Sequence, residues 1–367
     1  MKTKYYFFLT LVLIGNLTSC KENLEDILPE DIGQLTLLPP SIATTTTRSR
    51  PVDGTFFPWY TLNFAEKVWG SSAYINYYNI GFCIYNHDGG TQSFLSPHMN
   101  GYENLKRVLT SIKYKADNRL EQEWDSPISA RIEKNIDIYA YYPWMDKEFK
   151  PDKVPFTTTD QIDWMWADPI HTTVQSSNSN NVFLTFHHAM TCLEIRLSAL
   201  YENTINLYSI SLKDKQKQLT AGGTMDISTG VLTYVQDQES ITIKGDNTNN
   251  NLLPVHNSEN TSYFSYSFLI PEKSFSPGDL TLSFVYDYVN SKEFSSGYST
   301  YEVPISYKKS TDGSDYVLET DTEGKYILKT AHKYILNLVI DNANKITPLS
   351  MVAVDGPWQS ENIELKI

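Results

Sequence analysis

Residues Val182 to Leu197 read Val-Phe-Leu-Thr-Phe-His-His-Ala-Met-Thr-Cys-Leu-Glu-Ile-Arg-Leu, and this run decides the fold class. Val182, Leu184 and Phe186 share one parity, while Leu193, Ile195 and Leu197 share the other. Successive side chains of a strand point to opposite faces, so alternation with period two marks β structure. The change of phase predicts a β-bulge near His188 to Cys192, or a first half buried on both faces. Thr204 to Leu212 sets Ile205, Leu207 and Ser209 against Tyr208, Ile210 and Leu212, and reads as a partner strand.

Working outward, the same style recurs. Upstream, Asn79–Asn86 is a mostly apolar run stopped by His87-Asp88-Gly89-Gly90. Ile136–Trp144 alternates until Pro143 ends it, and Asp163–Pro169 is a shorter run before a polar loop. One helix is expected, over Asn100 to Lys113, where Tyr102, Leu105, Val108, Leu109 and Ile112 recur at near-helical spacing. Downstream, strands are expected at 233–244, 263–270, 280–288, 300–307 and 326–341, separated by Gly, Pro, Asn or Asp clusters. Composition agrees, with 25 tyrosines and abundant Thr, Ser, Val and Ile, which suit half-buried pleated surfaces. Short strands at this spacing suit a β-sandwich in each half of the chain. After Asp214 the chain turns Lys/Gln-rich and then reaches Gly222-Gly223, so the boundary is expected near residue 215. One sandwich is then expected over 51–215 and the other over 216–367.

The first fifty residues are of a different kind. Lys2 and Lys4 precede an apolar core, Tyr5 to Ile14, of signal-peptide length and too short to span a bilayer. Leu17-Thr18-Ser19-Cys20 has the form of a lipobox, so 1–19 reads as a lipoprotein signal peptide and Cys20 as the lipidation site. Two or more acyl chains suffice for stable anchoring. The expected location is therefore the envelope of a bacterium, tethered to a membrane by lipid without spanning it. Residues 20–50 then hold an acidic tether, Lys21 to Asp31, and a short strand-like run, Gln34 to Leu38, closed by Pro39-Pro40. A threonine run leads to Arg48 and Arg50. Loss of the leader takes the net charge from −13 to −15, so nucleic acid is not an expected partner. Cys83 and Cys192 are expected as buried free thiols, with a single bridge as the alternative.

No residue set declares catalysis. Among Gly-rich phosphate loops, Gly-x-Ser-x-Gly, His-Glu-x-x-His and Cys/His nucleophile patterns, none occurs. His187 and His188 are adjacent on a strand and point to opposite faces, so they cannot chelate one metal together. His87 and His98 lack a third ligand at recognisable spacing. The pair Asp163 and Asp168 could serve glycoside hydrolysis, but nothing singles it out. Trp59, Trp69, Trp124, Trp164 and Trp166 could stack on sugars, with core packing the commoner role. No enzyme activity, metal or cofactor is expected.

Several stretches together resemble the fimbrillins, the pilin subunits of type V pili of anaerobic Gram-negative bacteria. They are the lipobox, Ile136-Asp-Ile-Tyr-Ala-Tyr-Tyr-Pro143, Asp163-Trp-Met-Trp-Ala167, and Phe186-His-His-Ala189 leading into Leu193–Leu197. Gly222-Gly-Thr-Met-Asp-Ile-Ser-Thr-Gly230 is similar to a turn common in that family, and Lys329–Leu336 with Val352–Trp358 resembles its closing strand. The chain departs in the extra His187 and in Lys333, where a glycine often precedes the tyrosine. The resemblance implies two tandem transthyretin-like β-sandwich domains in an all-β protein. It implies a structural subunit of an adhesive surface fimbrium (pilus), made as a lipoprotein and assembled by donor-strand exchange. An arginine-specific protease would remove the first strand, whose apolar inserts are Leu35, Leu37 and Leu38, with Ile42 a further candidate. Arg48 is the preferred cut site over Arg50, because Pro51 follows Arg50. The candidate donor strand is Ile363 to Ile367, where Ile363, Leu365 and Ile367 alternate with charged residues. Expected partners are other fimbrial subunits, the protease, the outer membrane and host or bacterial surface ligands. The alternative is a surface glycan-binding lipoprotein that never polymerises.

Overall fold

A computed structural model describes residues 32–43, 56, 66–67, 71–86, 93–94, 105–117, 119–131, 135–147, 149–175, 180–199, 204–244, 263–290, 295–305, 320–340 and 346–354. Among these residues the regular structure is strand, apart from one 3-10 turn at Pro151–Lys153. The arm at the start carries β1 (Ile32–Leu37) and β2 (Ser41–Ile42). Then come β3 (Glu66–Lys67), β4 (Ala73–Asn86), β5 (Ser93–Phe94), β6 (Leu105–Tyr114), β7 (Leu120–Trp124), β8 (Ile128–Arg131) and β9 (Asn135–Tyr142). Five short strands follow: β10 (Val154–Thr157), β11 (Met165–Ala167), β12 (Ile170–Thr173), β13 (Asn180–Val182) and β14 (Thr185–His188). The next are β15 (Thr191–Ala199), β16 (Thr204–Asp214), β17 (Leu219–Met225), β18 (Leu232–Gln238) and β19 (Ser240–Lys244). The last are β20 (Phe264–Ile270), β21 (Lys273–Phe275), β22 (Leu280–Asn290), β23 (Ser295–Pro304), β24 (Tyr326–Leu328), β25 (Lys333–Ile340) and β26 (Ile346–Val354).

The protein is all-β, built of two sandwiches. In the first, the path β2-β14-β11-β9-β4-β6-β7 forms a large sheet, opposed by a small one of order β13-β1-β8. One apolar core joins them, with Leu35, Leu37, Ile128 and Val182 from the small sheet meeting Ile80, Phe82, Ile138 and Phe186 from the large one. In the second, β20-β15-β25-β26 faces β19-β16-β22-β23. Leu193, Ile195 and Leu197 of β15 pack there with Ile210, Leu212, Leu282 and Phe284.

β4 and β9 explain why some strands lack alternation. Ile80, Phe82 and Ile84 of β4 enter the sandwich core, while Cys83 and Tyr85 enter a second core on the sheet's other face. β9 divides likewise, Ile138 and Ala140 inward and Tyr139 and Tyr141 outward. That second core exists because a third sheet, β10-β17-β18, covers the outer face. A strand buried on both faces reads as a continuous apolar run.

Four expectations need correction. Residues 105–114 form β6 and not a helix: ten residues of β4, Ala73 to Phe82, pair with Tyr114 to Leu105 in register. Leu109 faces the core, and partly buried Val108 and Ile112 have the other parity, so a strand covered on both sides imitates helical spacing. The phase change in the 182–197 run is not a bulge. The chain bends at Ala189-Met190, and β14 and β15 belong to different sandwiches. β16 is not the partner of β15; it pairs with β19 and β22 in the facing sheet. Finally, the sheets do not divide at residue 215. β15 and β16 already belong to the second sandwich while β17 and β18 pair with β10, so the chain crosses between the halves more than once, and the composition change at 215 marks an exposed turn, Lys215 to Gln218.

Candidate functional site: the N-terminal strand and its slot

β1 alternates as its sequence predicts, with Leu35 and Leu37 buried and Gln34 and Thr36 exposed. It is a central strand. On one side it pairs parallel with β13, Leu35 opposite Asn180 and Leu37 opposite Val182. On the other it pairs antiparallel with β8, Ile32 opposite Arg131 and Leu35 opposite Ile128. Past Leu37 the ladder continues along one rail. Leu38 N donates to Val182 O at 2.8 Å, Ser41 N to Leu184 O at 2.9 Å, and Ala43 N to Phe186 O at 2.7 Å. Pro39 and Pro40, which lack an N–H, fall between these donors.

The core inserts of this arm are Leu35, Leu37 and Ile42. Leu38 is not one of them. It is adjacent to Leu37, so it points to the other side, where it is half-buried and its carbonyl accepts a 3.0 Å bond from Trp124 Nε1. Burying three aliphatic side chains contributes about 5 to 9 kcal/mol. That is on the order of a whole domain's net stability.

Phe56 was not singled out by the sequence. It is buried in the same core, its ring 4.7 Å from Phe186 and 5.5 Å from Tyr78. Its carbonyl accepts from Gln122 Nε2 at 2.9 Å. The chain is therefore held at Ala43 on one side and at Phe56 on the other, with Arg48 and Arg50 between them in sequence. Arg48, Arg50, the lipidation candidate Cys20 and the donor candidates Ile363, Leu365 and Ile367 lie outside the described residues.

The remaining candidates sort as follows. His188 is buried and bonds Asp163 through Nδ1 at 2.7 Å, while half-buried His187 bonds exposed Asp168 through Nε2 at 2.7 Å. The two histidines face opposite ways, and so do the two carboxylates, which removes Asp163 and Asp168 as a converging acid–base pair. Among the described residues no group of three or more His, Cys, Asp or Glu gathers as metal ligands would. Trp164 is buried and donates to Thr157 O at 3.2 Å; Trp124 packs edge-on against Phe82 at 5.7 Å. Trp166 stacks on His187 with centroids 4.5 Å apart. Trp59 and Trp69 lie outside the described residues, as do His87 and His98. Cys83 and Cys192 are both buried and are not joined in a disulfide.

The Gly222–Gly230 segment is structural. A Cβ on Gly223 would lie 2.0 Å from Thr233 O, and one on Gly230 would strike the Trp166 ring at 1.9 Å. Gly230 also has φ +71°, which favours glycine. Asp226 Oδ1 accepts from Ser228 N and Oγ at 2.8 and 2.6 Å, closing the turn.

The sequence model of the fimbrillin-like family matches residues 79–355. The chain belongs to the fimbrillin-like family. Several solved structures are similar to this chain at low sequence identity. A candidate cell adhesion protein from Bacteroides uniformis is 14% identical, with 89% of this chain and 99% of that one covered and a TM-score of 0.47. One from Bacteroides ovatus is 16% identical, over 90% and 99%, with a TM-score of 0.46. A fimbrial assembly protein from Parabacteroides distasonis is 10% identical, over 76% and 87%, at 0.30. No curated protein matches this chain. In this fimbrillin-like chain the unusual Lys333 has a definite setting: its ammonium pairs with Glu194, and both are buried.

Proposed function

We propose that this fimbrillin-like chain is a structural subunit of a bacterial surface fimbrium, exported as a lipoprotein through Cys20 and polymerised by donor-strand exchange. The supporting observation is the slot itself. Residues 32–43 are hydrogen-bonded into the first sandwich between β13, β8 and β14, and Arg48 follows within a few residues. Cleavage after Arg48 would release β1 and β2 while Phe56 stays in the core as the new anchor. β13 and β8 would then lack the strand between them, and the carbonyls of Val182, Leu184 and Phe186 would lack donors. A buried carbonyl without a partner costs roughly 1 to 3 kcal/mol. An incoming strand restores both ladder and apolar inserts, which is β-augmentation. Ile363, Leu365 and Ile367 of a neighbouring subunit have the period for it.

The test is proteolysis followed by assembly. Treating the purified protein with an arginine-specific protease should give a new N-terminus at Ser49 and ladders on gels. Removing residues 363–367 should abolish the ladders while leaving the cut intact. A surface protein whose N-terminus is only lipidated Cys20 would exclude the processing step. Clean cleavage without ladders would favour the non-polymerising glycan-binding lipoprotein instead.

A further inference from the structure

A cleft of about 390 Å3 opens beside the Trp166–His187 stack, where the first sandwich, the β17–β18 hairpin and two turns of the second sandwich meet. Its wall carries Tyr234 and Val231 from the hairpin; its rim carries Glu272 and Thr330. Tyr234 is 48% exposed and Val231 60%, so flat apolar surface faces solvent here. Together with Val235, at 75%, they are three of the six exposed large hydrophobics among the described residues, all within one hairpin. The polar groups are placed by their own contacts. Glu272 Oε2 accepts from Thr330 N at 3.2 Å, and Asp168 holds His187 from behind at 2.7 Å. Burial, and after it the Glu272 carboxylate, raises the Tyr234 pKa, so the hydroxyl stays a neutral donor.

We propose that this cleft is a binding site for an uncharged saccharide. A sugar ring has an apolar C–H face, which suits the rings of Tyr234 and His187, and an edge of hydroxyls, which suits Glu272 and Thr330. Among the described residues no Lys or Arg lines the cleft, and the chain is acidic overall, so phosphate and other anionic ligands are disfavoured. The volume lies in the small-ligand range of about 300 to 1,000 Å3, which suits a short saccharide. Gly230, pressed against Trp166, sets the hairpin at this distance from the stack. The cleft and the β1 slot share β14: His187 and His188 line the cleft, and Phe186 O ends the ladder of the slot.

Native affinity electrophoresis of the full chain, in gels cast with soluble galactomannan, xyloglucan or dextran, tests it. Retardation by at least one of these polysaccharides is expected. Tyr234→Ala and Glu272→Gln should each weaken it at least tenfold, Tyr234→Phe should keep most of it, and Tyr77→Ala, at an exposed ring outside the cleft, should leave it unchanged. If Tyr234→Ala fails to fold, Glu272→Gln and Tyr234→Phe carry the comparison. No retardation by any of the three polysaccharides would overturn the proposal. So would retardation that both Tyr234→Ala and Glu272→Gln leave intact, which would place the binding elsewhere.

Discussion

Glu194 sits on β15 with its carboxylate almost fully buried between two cations. Arg196 Nε donates to it at 2.7 Å, and the Lys333 ammonium reaches it from β25. Burial works to raise its pKa, but the Lys333 and Arg196 charges outweigh burial and hold it below the ordinary carboxylate value. A depressed native pKa means stability that is present above the unfolded pKa of about 4.3 and lost as pH falls through the native one. The acid limb of stability should therefore steepen below about pH 4, and Glu194→Gln should flatten it. At neutral pH that substitution leaves two buried cations facing a neutral amide and should cost about 3 to 5 kcal/mol by denaturant titration. Cys192 lies on the same face of β15, and burial pushes its thiol up to about 12. Neither Cys192 nor buried Cys83 should react with iodoacetamide until the protein is unfolded, as mass spectrometry can read. These residues also show what sequence can supply. The adjacency of His187 and His188 implied opposite faces, and the structure has them there, with Asp168 and Asp163 as their separate partners. The Glu194–Lys333 pair was not legible, because it joins residues far apart in sequence through the parallel pairing of β15 with β25.

At the scale of elements, β1 is the one whose parity makes a sharp prediction. Leu35→Ala removes an insert with no exposure and should cost about 2 to 5 kcal/mol, whereas Leu38→Ala, at a half-buried position, should cost under about 1 kcal/mol. Thermal melts of the two variants would separate them, and equal losses would contradict the observed facing. Alternation alone identified this strand. It could not say that the strand is central, flanked by parallel β13 and antiparallel β8, because both partners lie some hundred residues or more downstream. The opposite error arose at β6, where apolar residues of both parities imitated a helix. Propensity and spacing are local, while pairing with β4 on one side and β7 on the other is not. Gly230 shows how an element is held to its neighbour. Gly230→Ala meets both a left-handed φ and the Trp166 ring, so it should destabilise by about 1 to 3 kcal/mol in chemical denaturation.

For the whole molecule, the path of the chain matters more than any single sheet. β15 and β16 enter the second sandwich, β17 and β18 return to pair with β10 of the first half, and β19 leaves again for the second sandwich. Gln161 adds a side-chain link across the same junction. Its Oε1 accepts from Leu269 N at 2.8 Å and its Nε2 donates to Leu269 O at 3.2 Å, occupying the edge of β20 as a strand would. A fragment of 216–367 lacks β15 and β16, a central strand of each sheet of the second sandwich, and should show no cooperative thermal transition by circular dichroism. Cooperative unfolding of that fragment would mean that the second sandwich tolerates their loss.

The sequence by itself determined that the protein is built mainly of strands, which residues of β1 and β14 alternate, and that the chain resembles the fimbrillins. Those are consequences of side-chain period and of short motifs, both readable within a dozen residues. Only the tertiary structure decided that residues 182–197 are two strands in two sandwiches and that Leu38 is not a core insert. It alone placed Phe56 in the core beside β14 and formed the Trp166–Tyr234 cleft. The physical reason is the same in each case. A strand's partners, and whether one face or both are covered, depend on groups distant in sequence, and a chain that leaves a sheet and returns to it leaves no local mark of the crossing.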